Sequence, residues 1–214
     1  MFIQRIRVRF RKRGELRAIS HLDLMRAFER ALRRSGLPLR MSEGFNPHPR
    51  LSFPAALGVG IEGVEEVMEF DLCDWVTLEN VQERLREQLP EGLDLVSASV
   101  ASPHETARVT EVIYRICPHE PLRTDARLSA AAVESLLARK EIAVERVRKG
   151  KEKSVNIRPF ILSLQPEGAC LSARLKAGPE GSVHPEEILG ALGFDLQSRR
   201  TGFAIVRTRV TLAN

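Results

Sequence analysis

The chain has 214 residues, 43% of them hydrophobic and 29% charged, with a formal net charge of +5. This length admits one large domain or two of about 100 residues each, and the apolar fraction excludes wholesale disorder. No apolar run reaches the roughly 18–20 residues of a membrane span, and the opening MFIQRIRVRFRKRGE has charges where a signal peptide needs its apolar stretch. The expectation is a cytoplasmic protein.

The charge is segregated. Residues 1–50 hold 13 Lys/Arg against 4 Asp/Glu, residues 51–100 hold 2 against 11, and residues 146–158 form a second basic run with one acid, Glu152. Such a field attracts a polyanion. Cys73, Cys117 and Cys170 stand far apart with no CxxC spacing, and the five histidines show no metal-ligand spacing. The expectation is free thiols, with no metal and no cofactor.

Residues 3–11 alternate, with Ile6, Val8 and Phe10 on one face and Arg5, Arg7, Arg9 and Arg11 on the other. This predicts a strand with one buried face. Ser20 and Asp23 form a capping signal for a helix over 21–35, where Leu24, Met25, Phe28, Ala31 and Leu32 make the apolar stripe and Ser35-Gly36 the stop. Residues 43–50 then form a loop stiffened by Pro47 and Pro49, displaying Phe45, Asn46, His48 and Arg50. Strands are expected over 50–57, demoted to an edge by Pro54, and over 64–72, around a glycine-rich turn. Thr77 caps a helix, and a strand over 93–101 completes the order β-α-β-β-α-β.

After a short linker the order restarts. A strand over 107–117, a helix near 129–139, strands over 141–148, 155–164 and 169–176, a helix from His184-Pro185 and a strand over 203–212 are expected. The predicted fold is therefore α+β, with two tandem ferredoxin-like (βαββαβ) lobes and antiparallel sheets, the lobes spanning 1–102 and 103–214. Such a sheet carries its helices on one face, so the arginines of the first strand would line an open face suited to phosphate contact. The candidate RNA-binding residues are Arg5, Arg7, Arg9, Arg11, Phe45, Asn46, His48, Arg50, Lys149, Lys151, Lys153, Arg158, Arg207 and Arg209. Pro159 is expected to hold Arg158 extended. The opposing expectation is that Arg5, Arg7 and Arg9 pair with Glu65, Glu66 or Glu69 in a neutral lattice.

Residues 7–53, the glycine-rich stretch 56–72 and KGKEKSVNIRPFI (149–161) together resemble the radical SAM-linked protein family, a domain of unknown function found beside or fused to radical SAM proteins. The resemblance implies a radical SAM partner that owns the cluster chemistry, because this chain has no CxxxCxxC. The leading expectation is a non-enzymatic, RNA-binding or substrate-presenting accessory protein in tRNA or rRNA modification. The alternatives are a protein–protein adaptor that docks on the radical SAM partner without RNA, and a metal-independent endoribonuclease with His21 as general base.

Overall fold

β1 (Gln4–Lys12) carries the alternation through unbroken, so Ile6, Val8 and Phe10 are fully buried while Arg5, Arg7 and Arg9 lie on the opposite face. The computed structural model describes residues 3–103, 105–120, 122–148, 150–195 and 202–213. They fall into two compact units, Met1–Arg108 with Ala213 and Val109–Leu212 with Asn214.

In the first unit, α1 (His21–Arg34) starts where Ser20 Oγ accepts the Asp23 N–H at 3.2 Å and ends at Ser35, followed by Gly36 at φ 66°. Its buried stripe is Leu24, Phe28, Ala31 and Leu32, whereas Met25, expected in that stripe, is 36% exposed. β2 is only Leu51–Ser52, against an expected strand of eight residues. Pro54 supplies no N–H, so the ladder to β3 (Glu62–Leu72) stops after Ser52. α2 (Leu78–Arg86) is capped by Thr77 Oγ1, which accepts the Asn80 N–H, and β4 (Leu93–Ala101) follows. β1 pairs antiparallel with β3 and β4, giving the order β4-β1-β3 with β2 beyond β3.

Both helices pack on the apolar face of β1. The core joins Ile6, Val8 and Phe10 to Leu24, Phe28 and Leu32 of α1, Met68, Phe70 and Leu72 of β3, and Val81 and Leu85 of α2. Phe28 packs edge-on against Phe10 at 4.7 Å and Phe53 at 5.7 Å. Lys12 is buried at the end of this face, its Nζ donating to the Ile19 carbonyl at 3.3 Å.

The second unit contains β5 (Val109–Pro118), α3 (Ala130–Leu137), β6 (Ala143–Arg148), β7 (Lys151–Asn156), β8 (Ile161–Glu167), β9 (Cys170–Lys176), α4 (Pro185–Ala191) and β10 (Phe203–Leu212). Its sheet runs β10-β5-β9-β8, all antiparallel, and β6 and β7 make a separate two-stranded hairpin. The single strand expected over 155–164 is thus two strands. They are separated by a 3-10 turn at Arg158–Phe160, where Pro159 removes a ladder donor. Asn156 closes β7, its Oδ1 accepting from the Ile142 and Arg158 N–H groups, each at 3.0 Å.

Two of the three cysteines are not free. Cys117 and Cys170 form a disulfide, because the β5–β9 register puts Ile116 opposite Leu171 and so brings the next pair together with Cα atoms 4.3 Å apart. Only Cys73 keeps an exposed free thiol. No described helix is long and apolar enough to cross a membrane.

Phe28→Ala removes a fully buried ring at the centre of the first unit's aromatic cluster. It is expected to lower stability by about 3–5 kcal/mol, read as a shifted denaturant midpoint at unchanged m-value.

Candidate functional site

The face of β1 opposite the helices holds a lattice of ion pairs. Arg5 Nε donates to Asp71 Oδ1 at 2.8 Å, Arg7 reaches Glu69 at 2.8 Å and Arg9 reaches Glu65 at 3.7 Å. Register accounts for the first two, since Arg5 is opposite Asp71 and Arg7 opposite Glu69; Arg9 is opposite Val67 and reaches diagonally. Glu69 and Asp71 are 2% and 4% exposed, so the carboxylates lie beneath the guanidinium groups. Hydrogen bonds to Asp71 raise the Arg5 guanidinium above its ordinary value. These three charges are matched within the sheet, and Arg11 beside them is exposed.

Asp71 also fixes the proline loop. Its carbonyl accepts the Arg40 N–H at 2.8 Å, its N–H donates to the Arg50 carbonyl at 3.1 Å, and its carboxylate lies 3.7 Å from the Arg40 guanidinium. Both arms of the loop are therefore tied to one residue of β3. Within the loop, Ser42 binds His48 twice, Ser42 N–H to the His48 carbonyl at 2.7 Å and His48 N–H to Ser42 Oγ at 3.0 Å.

A clamp then holds the loop against α1. Glu29 Oε1 is 2.9 Å from His48 Nδ1 and 3.0 Å from an Arg33 nitrogen, and Arg33 also donates to the Pro47 carbonyl at 2.7 Å. The contact with His48 first, and then those with Arg33, hold the Glu29 carboxyl below the usual glutamate range against the opposing effect of burial. Phe45 stands fully exposed at the tip beside exposed Asn46, and Arg50 approaches Glu43 no closer than 3.9 Å.

Arg26, Arg30 and Arg33, which are not among the candidate RNA-binding residues, follow one helix face at i, i+4 and i+7 spacing, with Arg26 3.4 Å from Asp23. Because Arg33 touches the loop, this exposed basic face runs into the Phe45 tip. The spacing was legible; its adjacency to the loop was not.

The remaining predicted residues separate into anchors and exposed charges. Arg158 turns inward, donating to the carbonyls of Leu137 at 3.0 Å and Ile161 at 3.2 Å, so it closes the end of α3 rather than aiming outward from an extended strand. Arg207 is 2% exposed and lies inside the fold, while Arg209 is exposed. Lys151 and Lys153 are exposed on the hairpin, and Lys149 lies outside the described residues. The hairpin is anchored by Arg146, whose guanidinium binds Glu187 at 2.7 and 2.8 Å and the Ser182 carbonyl at 2.6 Å. Burial pushes the Glu187 carboxyl up, but Arg146 and the His184 N–H outweigh it and leave the carboxyl below its ordinary value. His21 is half-buried with its ring edge-on to Phe53 at 5.3 Å. The single tyrosine, Tyr114, is buried and offers no stacking surface.

Residues 5–185 match a family described as an uncharacterized protein conserved in bacteria (DUF2344). The chain belongs to this family. No curated protein matches this DUF2344 chain. Among solved structures it is similar to an unknown protein from Galdieria sulphuraria, at 15% identity over the whole of both chains with a TM-score of 0.29, a likeness that assigns neither fold nor function.

Two outcomes are expected from this geometry. Asp71→Ala strands two guanidinium groups and should cost on the order of 2–3 kcal/mol by chemical denaturation. The Glu29 clamp has a depressed folded-state pKa. Its contribution is complete above the ordinary glutamate value of about 4.3 and is lost as pH falls through the lower folded value. The His48 ring resonances should report an acidic transition below that value, absent in Glu29→Gln.

Proposed function

We propose that this DUF2344 protein is a non-enzymatic RNA-binding accessory module for a cytoplasmic radical SAM enzyme, built from two ferredoxin-like lobes. The strand orders β4-β1-β3-β2 and β10-β5-β9-β8 support the lobe reading, with the β6–β7 hairpin as an insertion in the second. The observation that carries the RNA reading is the fully exposed Phe45 ring beside His48, Arg50 and the Arg26–Arg30–Arg33 face. An exposed aromatic next to guanidinium groups stacks a base while they contact phosphate. In the second unit, exposed Lys151 and Lys153 offer further phosphate contacts. The radical SAM partner rests on the sequence resemblance alone.

Binding to a mixed tRNA pool, followed by fluorescence anisotropy, should weaken steeply with salt because each phosphate contact releases a counterion. Phe45→Ala should weaken it by about 1–3 kcal/mol, and Arg30→Glu should weaken it and flatten the salt slope. Arg7→Gln should leave binding intact, since Arg7 is occupied by Glu69. Absence of binding at about 50 mM salt, or affinity no better than for heparin, rejects the reading.

The adaptor reading has its own support. Leu22 and Met25 of α1 are 51% and 36% exposed, and together with Phe45 they offer apolar anchors to a protein partner. A complex with the radical SAM protein that survives nuclease, from a chain that ignores RNA, decides for the adaptor. The compartment has a separate test. Disulfides are rare in the cytosol, so the Cys117–Cys170 bond bears against a cytoplasmic compartment. If the pair is still oxidised when cells are lysed into a thiol-trapping reagent, the cytoplasmic part of the reading is rejected.

A further inference from the structure

Among the described residues β4 lies at the end of the first unit's sheet and pairs with β1 alone. Edge strands are ordinarily protected by proline, by charged side chains, by bulges or by shortness. β8, at the end of the second unit's sheet, carries Pro166 and Glu167. β4 has nine residues and no proline, lysine or arginine, and no charge at all between Leu95 and Ala101; its one irregularity is a bulge at Val96, where the ladder to β1 passes from Ser97 to Leu95. Val96 and Val100 are 38% and 60% exposed along it.

Residues 96–100 read Val-Ser-Ala-Ser-Val, the same in both directions. We propose that β4 is a self-pairing edge that joins two copies of this chain, antiparallel about a two-fold axis at Ala98. That register sets Val96 of each copy opposite Val100 of the other, Ser97 opposite Ser99, and Ala98 opposite itself. Every residue meets its own kind, and like charges are nowhere opposed.

The faces agree with the pairing. Ala98 and Val100 are opposite Val8 and Ile6 and share their helix-covered face, whereas Ser97 and Ser99 are opposite Arg9 and Arg7 on the guanidinium face. Pairing about Ala98 therefore continues the apolar layer through Ala98 and Val100 and leaves hydroxyl against hydroxyl on the other side, with Val96 at the bulge meeting Val100 at each end. A slip of one residue sets valine opposite serine and breaks both layers, so the palindrome fixes the register as well as the partner. A short paired edge buries little area, and a dissociation constant on the order of micromolar is expected.

Sedimentation equilibrium across about 1–500 µM should show a reversible monomer–dimer transition. Val100→Lys should make the chain monomeric over that range without changing its circular dichroism or melting temperature, because residue 100 is exposed in the single chain. Cross-linking tests the axis in a Cys73→Ser background, which removes the free thiol. Position 98 of one copy lies about 4.5–5.5 Å from position 98 of the other, within disulfide reach, so Ala98→Cys should link under mild oxidation. The two copies of position 96 stand about four residues out of register, about 13 Å apart, so Val96→Cys should not link. A chain that stays monomeric throughout, a dimer indifferent to Val100→Lys, or equal linking at 96 and 98 overturns the proposal. None of these outcomes depends on whether the chain binds RNA.

Discussion

Asp71 is the residue on which the first unit's arrangement depends. Its carboxylate receives Arg5 from the neighbouring strand and approaches Arg40, and its backbone holds both arms of the proline loop. A carboxylate only 4% exposed needs partners, since an unmatched buried charge costs several kcal/mol. Meeting that requirement aligns β1 with β3 and sets the loop at the end of β3. The loop that carries Phe45 is held by two backbone hydrogen bonds to Asp71, and Arg40 in its first arm also approaches the buried carboxylate.

The same logic explains the charge segregation. The basic first fifty residues and the acidic next fifty are consecutive in sequence and meet across one antiparallel pair, β1 and β3. Much of the basic density is answered there, by Asp71, Glu69 and Glu65. On the exposed face of α1 the answering acids are local, Asp23 for Arg26 and Glu29 for Arg33. In the second unit the equivalent division is between Arg146, held by Glu187, and the exposed lysines of β7. A basic run therefore contains both fasteners and free charges, and only their partners tell them apart.

Arg158 and Cys117 show where sequence reasoning fails. Proline after Arg158 restricts its backbone, but two carbonyls at the end of α3 and the start of β8 decide where its guanidinium goes. Spacing in sequence gives no sign that Cys117 and Cys170 meet, because 53 residues separate them and the contact exists only through strand pairing. Met25 satisfies helical periodicity yet is partly exposed, since the stripe on α1 is narrower than periodicity alone requires. The division of residues 155–164 was foreshadowed by Pro159, whose missing donor interrupts any ladder.

By itself the sequence determined the elements whose causes are local. The alternation of β1 and the Ser20 and Thr77 caps act through neighbours within a few residues, whereas the expected strand over 50–57 is cut to Leu51–Ser52. The tertiary structure decided which charges are available. Arg5, Arg7 and Arg9 look identical to Arg26, Arg30 and Arg33 as letters. The first three lie over carboxylates brought from 56 to 66 residues away, while on the exposed helix face Arg26 and Arg33 pair with Asp23 and Glu29 of their own helix and Arg30 donates to the Arg26 carbonyl. Electrostatic pairing acts through space, and strand register, not spacing along the chain, sets which charges come within reach.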